Sequence, residues 1–597
     1  MKTRNQIEEK YKLDVKGLFE TEDKFLEELE KLKVEIQEIK KFEGHILDSS
    51  DSLLNLYKLG EQLDSRIEKV YVYASLNHDF DLENSKWDEN YGKAYKLYQE
   101  CSNICAFITP ELLKSDYSVI EKYINENKEL KKYEVFLKET YRLKEHVLDK
   151  NEELILSKLS NALKTPYSAY SKLTDVDLTF GEVENEDGKI IELTEANWPS
   201  LIESKSRNVR EKVFKKFYNA YKSVINSTAE LLSAEVKQNN ALADIRKYDN
   251  AMSASLNVNN VDSCVYNNLI DAVNKNMETI HRQWAVRKEI LNLKDLHLYD
   301  TYVPLVKEYD KKYSYEEAKK LVLKSLEVLG EEYCNVLKKF FDERWIDVYP
   351  NKNKRGGAYC TCCYLTNPYV VTNFDERYGD VSTITHELGH GMHYHYAQTN
   401  NGYYDYGYTI FVAEVASQVN EILLALHVLN TSDDKNEKIF VLDELIKHFK
   451  SSVVRQTMFA EFEKEIHEKE QNGDVITCNY LCDAYYDLNK KYFGENVVID
   501  EEIKYEWARI PHFYYNFYVY QYSTGYIAAL KIASDIFNKK ENALEKYLEF
   551  LKLGCTKDPV ESLKIAGVDL TKETVFDEAF TEFNKQMDEF EKLVGKE

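Results

Sequence analysis

The chain has 597 residues, with Gly and Pro scarce at 20 and 8 and Lys, Glu and Leu abundant, which favours a mostly α-helical protein of more than one domain. A net charge of −25 is wrong for a nucleic-acid backbone as partner. The ten cysteines follow no disulfide-rich pattern and the first residues, MKTRNQIEEK, hold no apolar signal core, so free thiols and a cytoplasmic location are expected.

From about Glu20 to Lys150 apolar residues step by three and four, as in Phe25, Leu29, Leu32 and Ile36, then Leu56, Leu59 and Leu63. The spacing predicts amphipathic helices packed on one another, and Pro110 opens another. Around 176–195 the period changes. Val176, Leu178, Phe180 and Val183 precede Asn185-Glu186-Asp187-Gly188, and Ile190, Ile191 and Leu193 come after it. An Asp-Gly turn between apolar runs predicts a β-hairpin. A boundary is placed near residue 200, giving an N-terminal helical region, 1–200, that ends in the hairpin, and a second domain, 201–597. Helices are expected from there to about Phe340, with Ala251–Leu256 as a turn packed on the core. Many of the 46 tyrosines must be partly buried with the hydroxyl wet or paired.

Residues 345–380 break the helical rhythm. Arg355-Gly356-Gly357-Ala358-Tyr359-Cys360 and Tyr369-Val370-Val371-Thr372-Asn373-Phe374 read as two short strands around Asn367-Pro368. An edge strand here either pairs with an extended peptide or only supports the next helix; the first reading is preferred. Cys360, Cys362 and Cys363 lack two further ligands for a metal site, so they are read as packed thiols.

The next helical segment contains Thr385-His386-Glu387-Leu388-Gly389-His390-Gly391-Met392-His393. On a helix His386 and His390 lie one turn apart on one face, where both imidazoles reach one metal ion. Glu387 sits about 100° round the helix, placed to act as general base on a water. Composition alone predicts about 0.05 such H-E-x-x-H patterns in a chain like this. Asp380 and Ser382 stand where caps belong, and Val381, Ile384, Leu388 and Met392 form a buried stripe. His393 reads as packed or supporting, rather than as a ligand. Catalytic zinc needs a third protein ligand. Glu414, among the apolar residues of Tyr408–Leu424, is a carboxylate that a cation would explain. Glu421, two turns on, either holds a ligand histidine by its second nitrogen or is a surface carboxylate.

HELGHGMH followed by FVAEVASQVNE resembles the oligoendopeptidase F branch of the thimet oligopeptidase family of zinc peptidases. The resemblance implies one zinc ion (Zn2+) per chain on His386, His390 and Glu414, with Glu387 as base. It implies a helical ellipsoid split by a deep substrate channel, with a small β-sheet beside the zinc site that carries substrate contacts at Gly357, Ala358 and Tyr359. Cys-Thr-Cys-Cys stands where many relatives carry Gly after that Tyr. Arg455–Glu463 is also similar to this branch and reads as a structural helix. The uncharged run Ile510–Leu530 is too polar for lipid and reads as one buried helix lining something wet. Such a site needs donors for a tetrahedral oxyanion. His512 and Tyr515, one helical turn apart, are assigned that role, with Tyr522 as a substrate contact and Tyr518 or Tyr522 as alternative donors.

The expected function is zinc-dependent hydrolysis of internal bonds in short unstructured oligopeptides, with no nucleic-acid or membrane partner; no oligomeric state follows from the sequence. A zinc carboxypeptidase of related helical fold and a non-catalytic peptide-binding protein are the alternatives.

Overall fold

The computed structural model describes residues 1–305, 309 and 311–595. Helices dominate and the strands are short. The chain divides into two compact units, each built of three segments: 1–145, 310–427 and 532–568 in the first, 146–309, 428–531 and 569–597 in the second. Residue 200 lies inside the second unit.

In the first unit the N-terminal helices Glu22–Glu35, Ser50–Asp79 and Ser85–Cys105 pack on each other. Phe25, Leu29, Leu32, Leu53 and Leu63 are fully buried, as their spacing requires. Pro110 occupies the first turn of Ile108–Leu112, where its missing N–H costs nothing. The same unit holds a three-stranded sheet in which Tyr369–Val371 lies between Ile346–Asp347, parallel to it, and Tyr359–Thr361, antiparallel to it. Tyr359–Thr361 is therefore an edge strand, with one row of backbone groups free of sheet partners.

Two long helices come after the sheet, Tyr378–Asn400 and Ile410–Thr431. The first begins before Asp380 and is capped from Arg377; the Asp380 carboxylate accepts the Arg377 N–H at 2.9 Å and that of Asp375 at 3.1 Å. Asp380 thus acts from inside the first turn rather than from the cap itself. The second helix has the length and hydropathy of a membrane span, and 72% of its most apolar window is buried within the fold.

The second unit is organised on the 39-residue helix Arg207–Ile245. The hairpin forms between Glu182–Glu184 and Ile190–Glu192, with Gly188 at φ +73°, a left-handed position suited to Gly. Val176 and Leu178 lie outside its strands. Ala251–Leu256 is helical rather than a turn: Asn250 caps a helix, Ala251–Asn257, by accepting the Ser253 N–H at 2.7 Å. Some buried tyrosines find partners, the Tyr218 and Tyr485 hydroxyls donating to Glu506 at 2.9 and 2.7 Å, while the buried hydroxyls of Tyr57, Tyr369 and Tyr547 have none among the described residues.

Residues 510–530 are not one helix. A short 3-10 turn, Pro511–Tyr514, is followed by irregular backbone, and the helix starts only at Tyr520. Asn516 and Phe517 hold φ of +45° and +57°, a conformation that costs a non-Gly residue. Partners distant in sequence hold the bend. The Phe517 N–H donates to Glu463 Oε1 at 2.6 Å, and Ser255 Oγ donates to the Asn516 carbonyl at 2.6 Å. Glu463 is fully buried on helix Arg455–Gln471, and its burial pushes its pKa up to about 8.

Candidate metal centre

The helices Tyr378–Asn400 and Ile410–Thr431 approach closely because Gly389 has no side chain. A Cβ there would lie 2.5 Å from Ser417 Cα and 2.6 Å from the Ala416 carbonyl oxygen. Backbone cannot yield as a flexible side chain would. Gly389→Ala should therefore force the helices apart, cost about 1–3 kcal/mol and lower metal content. Calorimetry with metal analysis checks this, and a variant with wild-type Tm and full metal would overturn the packing argument. Val381, Ile384, Leu388 and Met392 are buried on the other stripe and set the rotation of the helix, turning His386 and His390 toward the second helix.

There the two histidines and Glu414 converge. His386 Nε2 lies 3.2 Å from Glu414 Oε2 and 3.2 Å from His390 Nε2, and His390 Nε2 lies 3.5 Å from Glu414 Oε2. Among the described residues this is the one His/Cys/Asp/Glu cluster close enough to hold an ion. Three tetrahedral ligands bonded at about 2.0–2.1 Å would be spaced roughly 3.3–3.4 Å apart. The observed edges match, and the residues present fit a metal ion.

The surroundings orient these donors. His386 Nδ1 faces Glu421 Oε2 at 2.9 Å, which fixes the ring and turns Nε2 inward. Glu421 is thus a partner of His386 rather than a surface carboxylate. Ser382 Oγ donates to its other oxygen at 2.9 Å. Ser417 Oγ donates to Glu414 Oε2 at 3.1 Å. Ser382, expected at a cap, lies inside the helix and serves Glu421 instead; Ser417 escaped the sequence reading, its one trace being the i, i+3 spacing with Glu414. Burial opposes charge on His386, but hydrogen bonds to Glu414 and Glu421 outweigh it and raise its pKa to about 10 in the metal-free protein. The Glu414 pKa falls well below the carboxylate range; burial acts against this, and the two histidines overcome it.

Glu387 is 7% exposed, and its carboxylate has no hydrogen-bond partner among the described residues. Burial raises its pKa, while His386 and His390 pull it back. His393 is packed. Its ring stacks on Tyr408 at 3.8 Å and 2°, and burial lowers its pKa to about 3, so it is neutral.

The edge strand contributes Tyr359, whose hydroxyl donates to Asp79 Oδ2 at 2.7 Å. Gly357, at φ +80°, has its carbonyl held by Asn373 Nδ2 at 2.8 Å, and Ala358 lies between them. Burial pushes the Cys360 thiol well up, with the Glu387 charge adding to it. All ten cysteines are free thiols.

His512, Tyr515 and Tyr522 belong to the second unit. With Tyr518 they form a ring cluster: His512 lies 5.4 Å from Tyr515, 6.3 Å from Tyr518 and 5.9 Å from Tyr522 between centroids. The Tyr515 N–H donates to the His512 carbonyl at 2.9 Å, so the two stay one turn apart on the 3-10 segment, and the backbone bends only after them, at 516–517. The Tyr522 hydroxyl sits 3.4 Å from His512 Nε2. Tyr515 is 41% exposed, with its hydroxyl 2.9 Å from that of Tyr167. Burial lowers the His512 pKa, favouring the neutral ring.

Comparison with known proteins places this site in a context. Residues 200–582 match the model of peptidase family M3, and residues 111–180 match that described as oligopeptidase F. The chain is 39% identical to oligopeptidase PepF of Bacillus subtilis, covering 98% of this chain and 87% of the relative. It is 38% identical to an oligoendopeptidase F homolog of Lactococcus lactis, covering 100% and 99%. The crystal structure of oligoendopeptidase-F from Enterococcus faecium superposes with a TM-score of 0.74 at 33% identity, covering 96% of this chain and 99% of that one.

Proposed function

Because the chain belongs to peptidase family M3, in its oligoendopeptidase F branch, and is therefore a metallo-oligopeptidase, we propose that it is a zinc endopeptidase cleaving internal bonds of short unstructured peptides. The observation that carries the reading is the convergence of His386 Nε2, His390 Nε2 and Glu414 Oε2, with the carboxylate of Glu387, on the same helix, left without a hydrogen bond among the described residues. Two imidazoles and one carboxylate are a donor set suited to zinc. When bound there, the ion supplies a Lewis acid for the scissile carbonyl and a lowered pKa for water. Glu387 accepts the proton of the attacking water and passes it to the leaving amine. The edge strand Tyr359–Thr361, with Gly357 and Ala358 leading into it, pairs with the substrate backbone.

His512 and Tyr515 donate to the developing oxyanion, and Tyr522 orients His512. An exposed Tyr515, tied only to another hydroxyl, is free to be recruited by a bound peptide. Tyr515→Phe should lower turnover by roughly 10²–10³-fold with little change in KM, as loss of one oxyanion donor does. If Tyr515→Phe is normal while Tyr522→Phe is crippled, the two phenols exchange roles.

The channel expected of the family admits peptides and excludes folded proteins, and the free thiols suit a cytoplasmic setting. The deciding experiment is digestion of a peptide with an amidated C-terminus by the zinc-loaded protein. An endopeptidase cuts it internally. A carboxypeptidase leaves it intact, and a non-catalytic binder cuts neither it nor its free acid.

A further inference from the structure

The second unit contains a cavity of about 530 Å³ whose lining includes His512 and Tyr515 together with Tyr170, Tyr221, Arg455 and Arg509. That volume lies within the range of small-ligand sites. The two arginines differ in how they are satisfied. Arg455 Nη2 donates to Glu506 Oε1 at 2.7 Å. Glu506 also accepts from Tyr218 and Tyr485, so its lone pairs are largely used. Arg509 has no hydrogen bond or ion pair among the described residues, and its Nε is buried without a partner.

What Arg509 has instead is aromatic rings, with its guanidinium 5.0 Å from the Trp198 ring and 5.7 Å from the Phe217 ring. Such stacking offsets part of the cost of burying the cation. It leaves the in-plane N–H donors unused, and those are the ones that match a carboxylate in a two-pronged fork. An unpaired buried donor calls for a missing partner. Glu506 and Glu195 act on the Arg509 charge without hydrogen-bonding it; of the carboxylates lining the cavity, Asp175 accepts from Ser171 at 2.7 Å and Glu195 from the Tyr221 hydroxyl.

We propose that this cavity is a carboxylate-binding subsite for the substrate, anchored by Arg509, which receives either the C-terminal carboxylate or an acidic side chain of the peptide. The proposal rests on the peptidase function proposed for the metal centre and adds to it a preference for one end or one residue type. A carboxylate held beside His512 and Tyr515 would fix the distance between the anchored group and those donors. Peptides that present a carboxylate at the right spacing would then be favoured.

The test is peptide binding to zinc-loaded Glu387→Gln protein, followed by fluorescence. The probes are one N-acetylated sequence as free acid, as amide, and as amide with a single internal glutamate. At least one carboxylate-bearing peptide should bind about tenfold or more tightly than the plain amide, the size of one charge-assisted hydrogen bond. Tight binding of the free acid alone identifies the C-terminus as the source; tight binding of the glutamate amide identifies the side chain. Adding Arg509→Lys, which keeps the charge and loses the fork, should abolish the preference while the plain amide binds as before. If that protein does not fold, Arg509→Gln serves, and the comparison with Arg509 intact still decides. Equal binding of all three peptides, or a preference that survives either substitution, overturns the subsite. Failure of the wild type to cut any peptide would instead sink the peptidase reading, since binding is measured apart from turnover.

Discussion

Exchange of Glu387 for Gln is expected to lower turnover by roughly 10²–10⁴-fold, the range for loss of a general base, with metal content and fold unchanged. Gln has the same size and keeps the buried site filled, but it cannot take a proton. The reasons for choosing this carboxylate are physical. It comes directly after His386 in sequence, so the helix that presents the metal donors also positions it. It is buried yet accepts no hydrogen bond among the described residues, unlike Glu414, which Ser417 holds, and Glu421, which His386 and Ser382 hold. Burial raises its pKa toward the working range of a base. Steady-state kinetics with metal analysis on the same preparation checks the outcome. Near-normal turnover in the variant would mean that another group accepts the proton.

The convergence of His386, His390 and Glu414 was legible in the sequence because its information is local. His386 and His390 at i, i+4 need only a helix to converge, and Val381, Ile384, Leu388 and Met392 announce that helix and its buried side. Glu414 was legible through cost, as a carboxylate among apolar residues. Gly389, by contrast, reads as a weak point in a helix until Ser417 and Ala416 are seen against it. The two alternatives left open for Glu421 were separated only by the 2.9 Å contact to His386, which depends on how two helices pack.

The stretch after Arg509 shows where local reading stops. Its uncharged aromatic pattern suits a helix, and Tyr520–Phe537 is one. The bend before it is set by Glu463 and Ser255, distant in the chain, which hold the left-handed pair Asn516-Phe517. No periodicity within 510–530 carries that fact. Helix Ala251–Asn257 was missed for a related reason: it is shorter than the window over which periodicity can be judged, and its signal, the cap Asn250, is a single residue. The hairpin at 182–192 was legible because Asp187-Gly188 prescribes its own turn.

Replacing Glu414 with Ala should remove metal and activity together. Partners that hold a ligand histidine by its second nitrogen typically contribute 10–100-fold in metal affinity, so Glu421→Gln should fall in that range and remain partly active at high zinc. On the proposed ligand set Glu414 would contribute a bond to the ion itself, so its loss should exceed that range. The difference between the variants is the informative quantity, since both remove a carboxylate near His386. The same geometry sets a pH dependence. In the metal-free protein His386 keeps its proton up to about pH 10, and binding must expel that proton. Apparent zinc affinity should therefore rise as pH rises toward that value and weaken as pH falls. Glu414 stays ionised throughout, because its pKa is lowered. Competition with a chelator of known affinity, run at several pH values on wild type and Glu421→Gln, reads both effects. Glu421→Gln removes one of the two carboxylates that hold the proton on His386, so its affinity should depend less steeply on pH. Full zinc occupancy in Glu414→Ala, or an affinity independent of pH in the wild type, would mean that His386, His390 and Glu414 do not hold the ion.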